Sequence, residues 1–321
     1  DYKKAKECYE KAIKINPNYL SAIFNLGAIL NKLGENQKAK ECYEKAIEIN
    51  PNYVDAYNNL GNVFKILDDY NKAKECYEKA IQINPNFINA YNNLGVALYE
   101  LGEFQESIKC YEKIIKIDPI NINAHHNLGA SLQELKEYQK AIDCYEKVIE
   151  IDPNYLNSYN NLGNVFKILK ENQKAMQYYE KAIQINANYK EAQNNIGTVF
   201  HELKEYQKAM QYYEKAIEID PNYTDAHNNL GHAFKMLKDY KKAKECYEKT
   251  IKIDPRYVEG YFNIGIVFDL FRESQKAIKW YEKAIEINPK HLASMMSLGA
   301  VFNELGDTGK TIDYYQRALA L

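Results

Sequence analysis

Between residues 54 and 67, apolar side chains fall at Ala56, Tyr57, Leu60, Val63, Phe64 and Leu67, the three- and four-residue steps of an amphipathic helix. Asp68-Asp69 break the pattern. It resumes from Tyr70 to Ile83, with Tyr70, Ala73, Cys76, Tyr77, Ala80 and Ile81 on one face and Lys72, Lys74, Glu75, Glu78 and Lys79 on the other. Asn84-Pro85-Asn86 ends the second helix, because Pro disfavours helical geometry in the residue before it. The spacing therefore predicts a hairpin of two helices. It returns every 34 residues, punctuated by Pro17, Pro51, Pro85, Pro119, Pro153, Pro221, Pro255 and Pro289. A glycine (27, 61, 95, 129, 163, 197, 231, 265, 299) follows ten residues after each of these, or after Ala187, which replaces one Pro. Such a period means a repeat array rather than a pair of aperiodic domains.

No single hairpin can bury both its faces, so neighbours must stack into one continuous core. The predicted fold is all-α, a single array over residues 1–321. It comprises a half repeat at 1–19, eight full repeats at 20–291 and an incomplete ninth at 292–321. Solenoids need capped ends, and neither end carries a polar capping helix. The chain is therefore expected to continue into, or be covered by, further structure.

Gly61 sits inside the first helix, where it costs about 1 kcal/mol relative to Ala. That cost predicts a close helix approach, with Ala73 and Ala80 of the second helix leaving room for the glycine backbone. The Tyr77 slot is Tyr in every second helix, from Tyr9 to Tyr315. Ala187 removes a φ restraint and a helix stop, so the turn at 186–190 is expected to be softer than the others.

Tyr57, Leu60-Gly61, Phe64, Ala73, Tyr77, Ala80 and Pro85 together resemble the tetratricopeptide repeat, and the match recurs along the whole chain. The resemblance implies a right-handed superhelical solenoid of helical hairpins. First helices would line a concave groove and second helices would form the outer wall. It is specific for fold and nearly silent on function.

Composition narrows the classes. Lys and Arg (42) alternate with Asp and Glu (44), a net charge of -2, which gives no electrostatic footprint for general nucleic-acid binding. Mean hydropathy is -0.59 and no run approaches a membrane span. Cys8, Cys42, Cys76, Cys110, Cys144 and Cys246 share one phase of the repeat, which elsewhere holds Tyr178, Tyr212, Trp280 or Tyr314. A slot that accepts Cys, Tyr and Trp reads as packing, and unpaired cysteines point to a reducing, cytoplasmic compartment, with ciliary or nuclear placement also open.

Function has to come from the groove. Two residues before the Gly stand Asn25, Asn59, Asn93, Asn127, Asn161, Asn195, Asn229 and Asn263. Asn58, Asn92, Asn160, Asn194 and Asn228 precede five of them, and Asn62 and Asn164 lie one turn on. Each amide offers donor and acceptor, so a ladder of them suits an extended peptide backbone. Such a ladder resembles the groove of O-linked N-acetylglucosamine transferases and Spindly-type glycosyltransferases. The same asparagines can instead brace neighbouring helices. The slot three before the Gly is expected to face the groove most directly. It is polar through the middle and apolar at Phe24, Phe262 and Met296, which predicts that the ends grip apolar partner side chains. The slots three and six before the Gly carry no base, so a clamp for a C-terminal carboxylate is not expected.

The remaining motifs carry no chemistry. Gly306-Asp307-Thr308-Gly309-Lys310-Thr311 lacks the earlier glycine of a phosphate loop, since Glu304 stands there. His201 and His232 are expected near each other on the groove side, without a placed carboxylate for a metal. Asn222-Tyr223-Thr224 matches a glycosylation sequon with no secretory signal ahead of it. No catalytic residue, cofactor or metal site is predicted. The reading is a non-enzymatic scaffold that binds a partner peptide or helix, with no nucleic acid and no membrane insertion. The alternatives are the substrate-recognition arm of a glycosyltransferase, or a structural subunit of a large assembly such as a ciliary or transport complex.

Overall fold

The computed structural model describes residues 1–321 as nineteen helices without a strand. The first helices are α2 (Leu20–Lys32), α4 (Val54–Ile66), α6 (Ile88–Glu100), α8 (Ile122–Glu134), α10 (Leu156–Ile168), α12 (Lys190–Glu202), α14 (Thr224–Met236), α16 (Val258–Leu270) and α18 (Leu292–Glu304). The second helices are α1 (Tyr2–Ile15), α3 (Asn36–Ile49), α5 (Tyr70–Ile83), α7 (Phe104–Ile117), α9 (Tyr138–Ile151), α11 (Asn172–Ile185), α13 (Tyr206–Ile219), α15 (Tyr240–Ile253), α17 (Ser274–Ile287) and α19 (Thr308–Leu319). The hairpins are grouped into two compact units, Asp1–Ser158 and Tyr159–Leu321.

Within the first unit, α2, α4, α6 and α8 touch one another in sequence, and in the second α12, α14, α16 and α18 do the same. No second helix reaches the next second helix to that degree. First helices therefore form the closer-packed, inner side of each unit. Tyr43, Tyr77, Tyr111, Tyr145, Tyr179, Tyr213, Tyr247 and Tyr281 are among the largest fully buried side chains, so the recurrent Tyr is the centre of each hairpin core.

The glycine of the first helix faces that ring. A Cβ built on Gly61 would lie 2.5 Å from Tyr77 Cε1, and the same clash recurs at Gly95 with Tyr111 and at Gly231 with Tyr247. The close approach expected beside Ala73 and Ala80 is thus made chiefly to the Tyr77 ring. The Ala73 slot lies against the glycine's backbone: Ser107, which occupies it in α7, donates from Oγ to the Gly95 carbonyl at 2.8 Å. The Ala80 slot packs both on its own first helix and on the next repeat. Ala46 clusters with Ala56 and Ile23, and Thr250 lies against Gly260.

Each hairpin turn ends its first helix in the left-handed region, with Gly34, Gly102 and Gly306 at φ between 75° and 79°. Asp68, Lys136, Lys170, Lys204, Lys238 and Arg272 adopt it without being glycine. The Glu35 amide donates to the Leu30 carbonyl at 2.9 Å and that of Gly34 to Asn31 at 3.0 Å, the bond pair of a Schellman cap. Between hairpins, Asn84 is extended at φ −127°, as the following Pro demands. Asn186, ahead of Ala187, is extended as well at φ −139°. There the Asn188 amide donates to Asn186 Oδ1 at 2.9 Å, the same side-chain turn that Asn86 and Asn84 make at 3.1 Å. Local hydrogen bonding thus gives that turn its shape without a ring.

All six cysteines are free. Burial pushes the thiols of Cys76, Cys110 and Cys246 up to about 12 and those of Cys42 and Cys144 up to about 11, which makes them poor nucleophiles. Cys42, Cys76 and Cys110 lie in the core that runs from Leu26 to Cys110.

Candidate protein-binding face

The asparagines occupy the contact line between neighbouring first helices. Asn93 Nδ2 donates to Asn58 Oδ1 at 2.9 Å, Asn195 to Asn160 at 2.9 Å, Asn229 to Asn194 at 3.0 Å and Asn263 to Asn228 at 3.0 Å. Each rung runs from the amide two before one Gly to the amide three before the preceding Gly. Asn58, Asn194 and Asn228 are consequently only 7%, 5% and 8% exposed. This corrects the expectation that their slot faces the groove most directly: the neighbouring repeat covers it. Asn92 and Asn160 remain half-buried, as do Asn25, Asn59, Asn127 and Asn161.

The amides one turn further on are also engaged. Tyr77 donates its hydroxyl proton to Asn62 Oδ1 at 2.8 Å and Tyr179 to Asn164 Oδ1 at 2.7 Å. Asn195 Nδ2 reaches Asn164 at 3.2 Å, so Tyr179, Asn164, Asn195 and Asn160 form one network across two repeats. Burial pushes the Tyr43 phenol up to about 12, and a hydrogen bond from Asn59 works against the shift.

Where the slot three before the Gly holds a ring, the ring leans on the start of the next hairpin. Phe24 lies 4.8 Å from Tyr53, His126 lies 5.2 Å from Tyr155 and Phe262 lies 5.3 Å from His291, centroid to centroid. Phe24 and Phe262 also meet their own hairpin's Tyr43 and Tyr281, each at 5.7 Å. Both are half-buried packing groups, whereas Met296 is 48% exposed. The outer slot, six before the Gly, is exposed at Ser21, Asp55, Asn89, Asn123, Asn157, Asp225, Glu259 and Ala293.

The row four residues after the Gly is absent from the sequence-based list. In the second unit it holds Lys167, His201, Lys235, Asp269 and Asn303. These positions lie seven residues beyond the Asn160, Asn194 and Asn228 slots, hence on nearly the same helix face, and that spacing was a signal available in the sequence. Lys167 Nζ donates to Thr198 Oγ1 at 3.2 Å across the repeat boundary. Burial lowers the pKa of both Lys167 and Lys235. His201 and His232 are coupled as expected. Desolvation, then Lys235, then His201 bring His232 down to about 4, so the ring is neutral near pH 7. Asn263 Nδ2 lies 3.1 Å from His232 Nε2; with the amide donating, the ring proton sits on Nδ1.

Fold and face define a class first: an all-helical hairpin solenoid, a scaffold whose chemistry lies on its surfaces. The chain belongs to the tetratricopeptide-repeat family. Family models described as "Tetratricopeptide repeat" match residues 8–41, 54–87, 88–121, 120–188, 224–257 and 258–291, and one described as "TPR repeat" matches 27–68 and 197–238. No curated protein matches the sequence. Among solved structures, one described as the APC/C hetero-tetramer Cut9-Hcn1 is similar in fold, with TM-score 0.60, 17% identity and 92% of this chain covered. The match spans 58% of that chain. A second, described as MamA, is 26% identical over 50% of this chain and 95% of its own length, with TM-score 0.46. No helix is long and apolar enough to cross a membrane.

Proposed function

We propose that the chain is a non-enzymatic scaffold whose first-helix face docks an extended segment or helix of a partner protein, in a reducing compartment. One observation carries the reading. Each asparagine rung engages the Nδ2 of one repeat and the Oδ1 of the repeat before it, while Asn93, Asn195 and Asn229 stay half-exposed. A row of half-exposed amides held at a fixed repeat by these bonds suits main-chain recognition. A photo-crosslinking residue placed at Met236, on the inner side, should capture a protein partner of the full chain in cells. The same residue at Lys249, exposed on a second helix, should capture little. Capture from Lys249 alone would overturn the assignment of the face.

The asparagine row also favours a second reading, the substrate-recognition arm of an O-linked N-acetylglucosamine transferase or Spindly-type enzyme. A nucleotide-sugar domain encoded beyond Leu321 would select it. A transcript with no such domain would remove it and leave the scaffold reading in place.

A further inference from the structure

The second unit carries two lysines, with a histidine between them, that no ion pair of its own fold consumes. Lys167, His201 and Lys235 stand in one slot of three successive repeats, on α10, α12 and α14. Helix-packing distance places successive members about 10 Å apart. Lys167 makes a bond to the neutral Thr198 hydroxyl, and desolvation alone perturbs Lys235. His201 Nε2 is buried without a hydrogen-bond partner. The nearest anion acting on Lys167 and His201 is Glu202, which Lys170 already engages at 3.3 Å. On α16 the slot changes to Asp269, whose carboxyl feels Glu304, so the run of nitrogen bases is bounded.

A desolvated ammonium without a counter-ion is unfavourable, and a partner's carboxylate relieves it. An extended chain in polyproline-II geometry advances about 9 Å in three residues and returns every third side chain to one face, which matches the repeat spacing. We propose that this edge of the second unit docks an extended acidic segment of a protein partner. Carboxylates at every third residue would meet the ammonium groups of Lys167 and Lys235 and a ring N–H of His201 between them. This rests on the reading of the inner face as a protein-docking surface and names the chemistry of the occupant. A terminal carboxylate is not required.

The test uses the full chain and a labelled twelve-residue peptide repeating Glu-Leu-Ser, followed by fluorescence anisotropy at two salt concentrations. Binding should weaken as salt rises. Lys167→Gln and Lys235→Gln should each weaken it roughly tenfold, the worth of one charge-assisted bond. Lys235→Arg should keep it, and so should Lys283→Gln, whose ammonium sits over the Trp280 ring instead. Unchanged thermal melting would show that the variants fold. Equal affinity for a Gln-Leu-Ser peptide, indifference to both lysine substitutions, or stronger binding of a twelve-nucleotide uridine oligomer through the same lysines would overturn the proposal. If capture from Met236 survives in the Lys167→Gln/Lys235→Gln chain while peptide binding was never charge-dependent, the docking face stands and the acidic occupant falls. If capture from Met236 is absent in the unmodified chain, both fall.

Discussion

Gly61 and Tyr77 are packed as a lock: a single added methyl on the glycine would sit 2.5 Å from the ring's Cε1 atom. The ring is fully buried and its hydroxyl is tied to Asn62, so it has no room to turn aside. Gly61→Ala gains about 1 kcal/mol of helix propensity and forces overpacking of about 1–3 kcal/mol. A net loss of up to about 2 kcal/mol in urea unfolding is expected. The double change Gly61→Ala with Tyr77→Leu should cost less than the sum of the two, because the smaller side chain removes the clash. Strict additivity would show that the clash relaxes elsewhere.

The asparagine rungs predict a stability phenotype independent of any partner. Asn195→Ala removes bonds to both Asn160 and Asn164, and is expected to cost about 1–2 kcal/mol. A cycle with Asn160→Ala should show coupling of about 0.5–1 kcal/mol. Zero coupling would mean that the rung carries no energy and that the row exists for the partner alone.

His232 occupies the position at which Asn62 and Asn164 accept from a tyrosine, and the Tyr247 hydroxyl is left buried without a partner. Its folded-state pKa of about 4 lies below the ordinary 6.5. The unfolded state therefore binds more protons between those values. Stability should be full above pH 6.5 and decline as pH falls towards 4, by up to roughly 3 kcal/mol from this group. His232→Asn should flatten that part of the pH dependence and raise stability near pH 7 by about 1–2 kcal/mol, as Tyr247 gains an acceptor. An unchanged slope between pH 6.5 and 4 would count against it.

Ala187→Pro should stabilise the chain by about 0.4–1 kcal/mol, acting through the unfolded state, because Asn186 already holds the extended geometry that a following Pro requires. Hydrogen exchange at residues 186–190 should slow in the variant. Exchange no faster there than at the Pro-containing turns of the parent chain would remove the expected softness.

Helix hairpins, their turns and the packing role of cysteine were all legible in the sequence, because each is written in local periodicity. The partner of Gly61 was not. Helical spacing says that a glycine lets something approach, and both Ala73 and Tyr77 share the face turned to it. The destination of Asn58 was equally hidden. Its slot points inward on an isolated helix, and only the next repeat, 35 residues away at Asn93, covers it. Lys167 and Lys235 lay on the same face by the heptad rule, yet nothing local marks a lysine as lacking a counter-ion.

By itself, then, the sequence determined the repeat, the all-helical class and the placement of every hairpin, since a 34-residue period and a 3.6-residue stripe are properties of a single chain segment. Tertiary structure decided which inward side chains are spent between repeats and which stay available. That division depends on the distance between first helices of neighbouring hairpins. Asn263 and Asn228 meet at 3.0 Å, while Lys235, seven residues beyond Asn228 on the same helix, has no ion-pair partner and burial lowers its pKa.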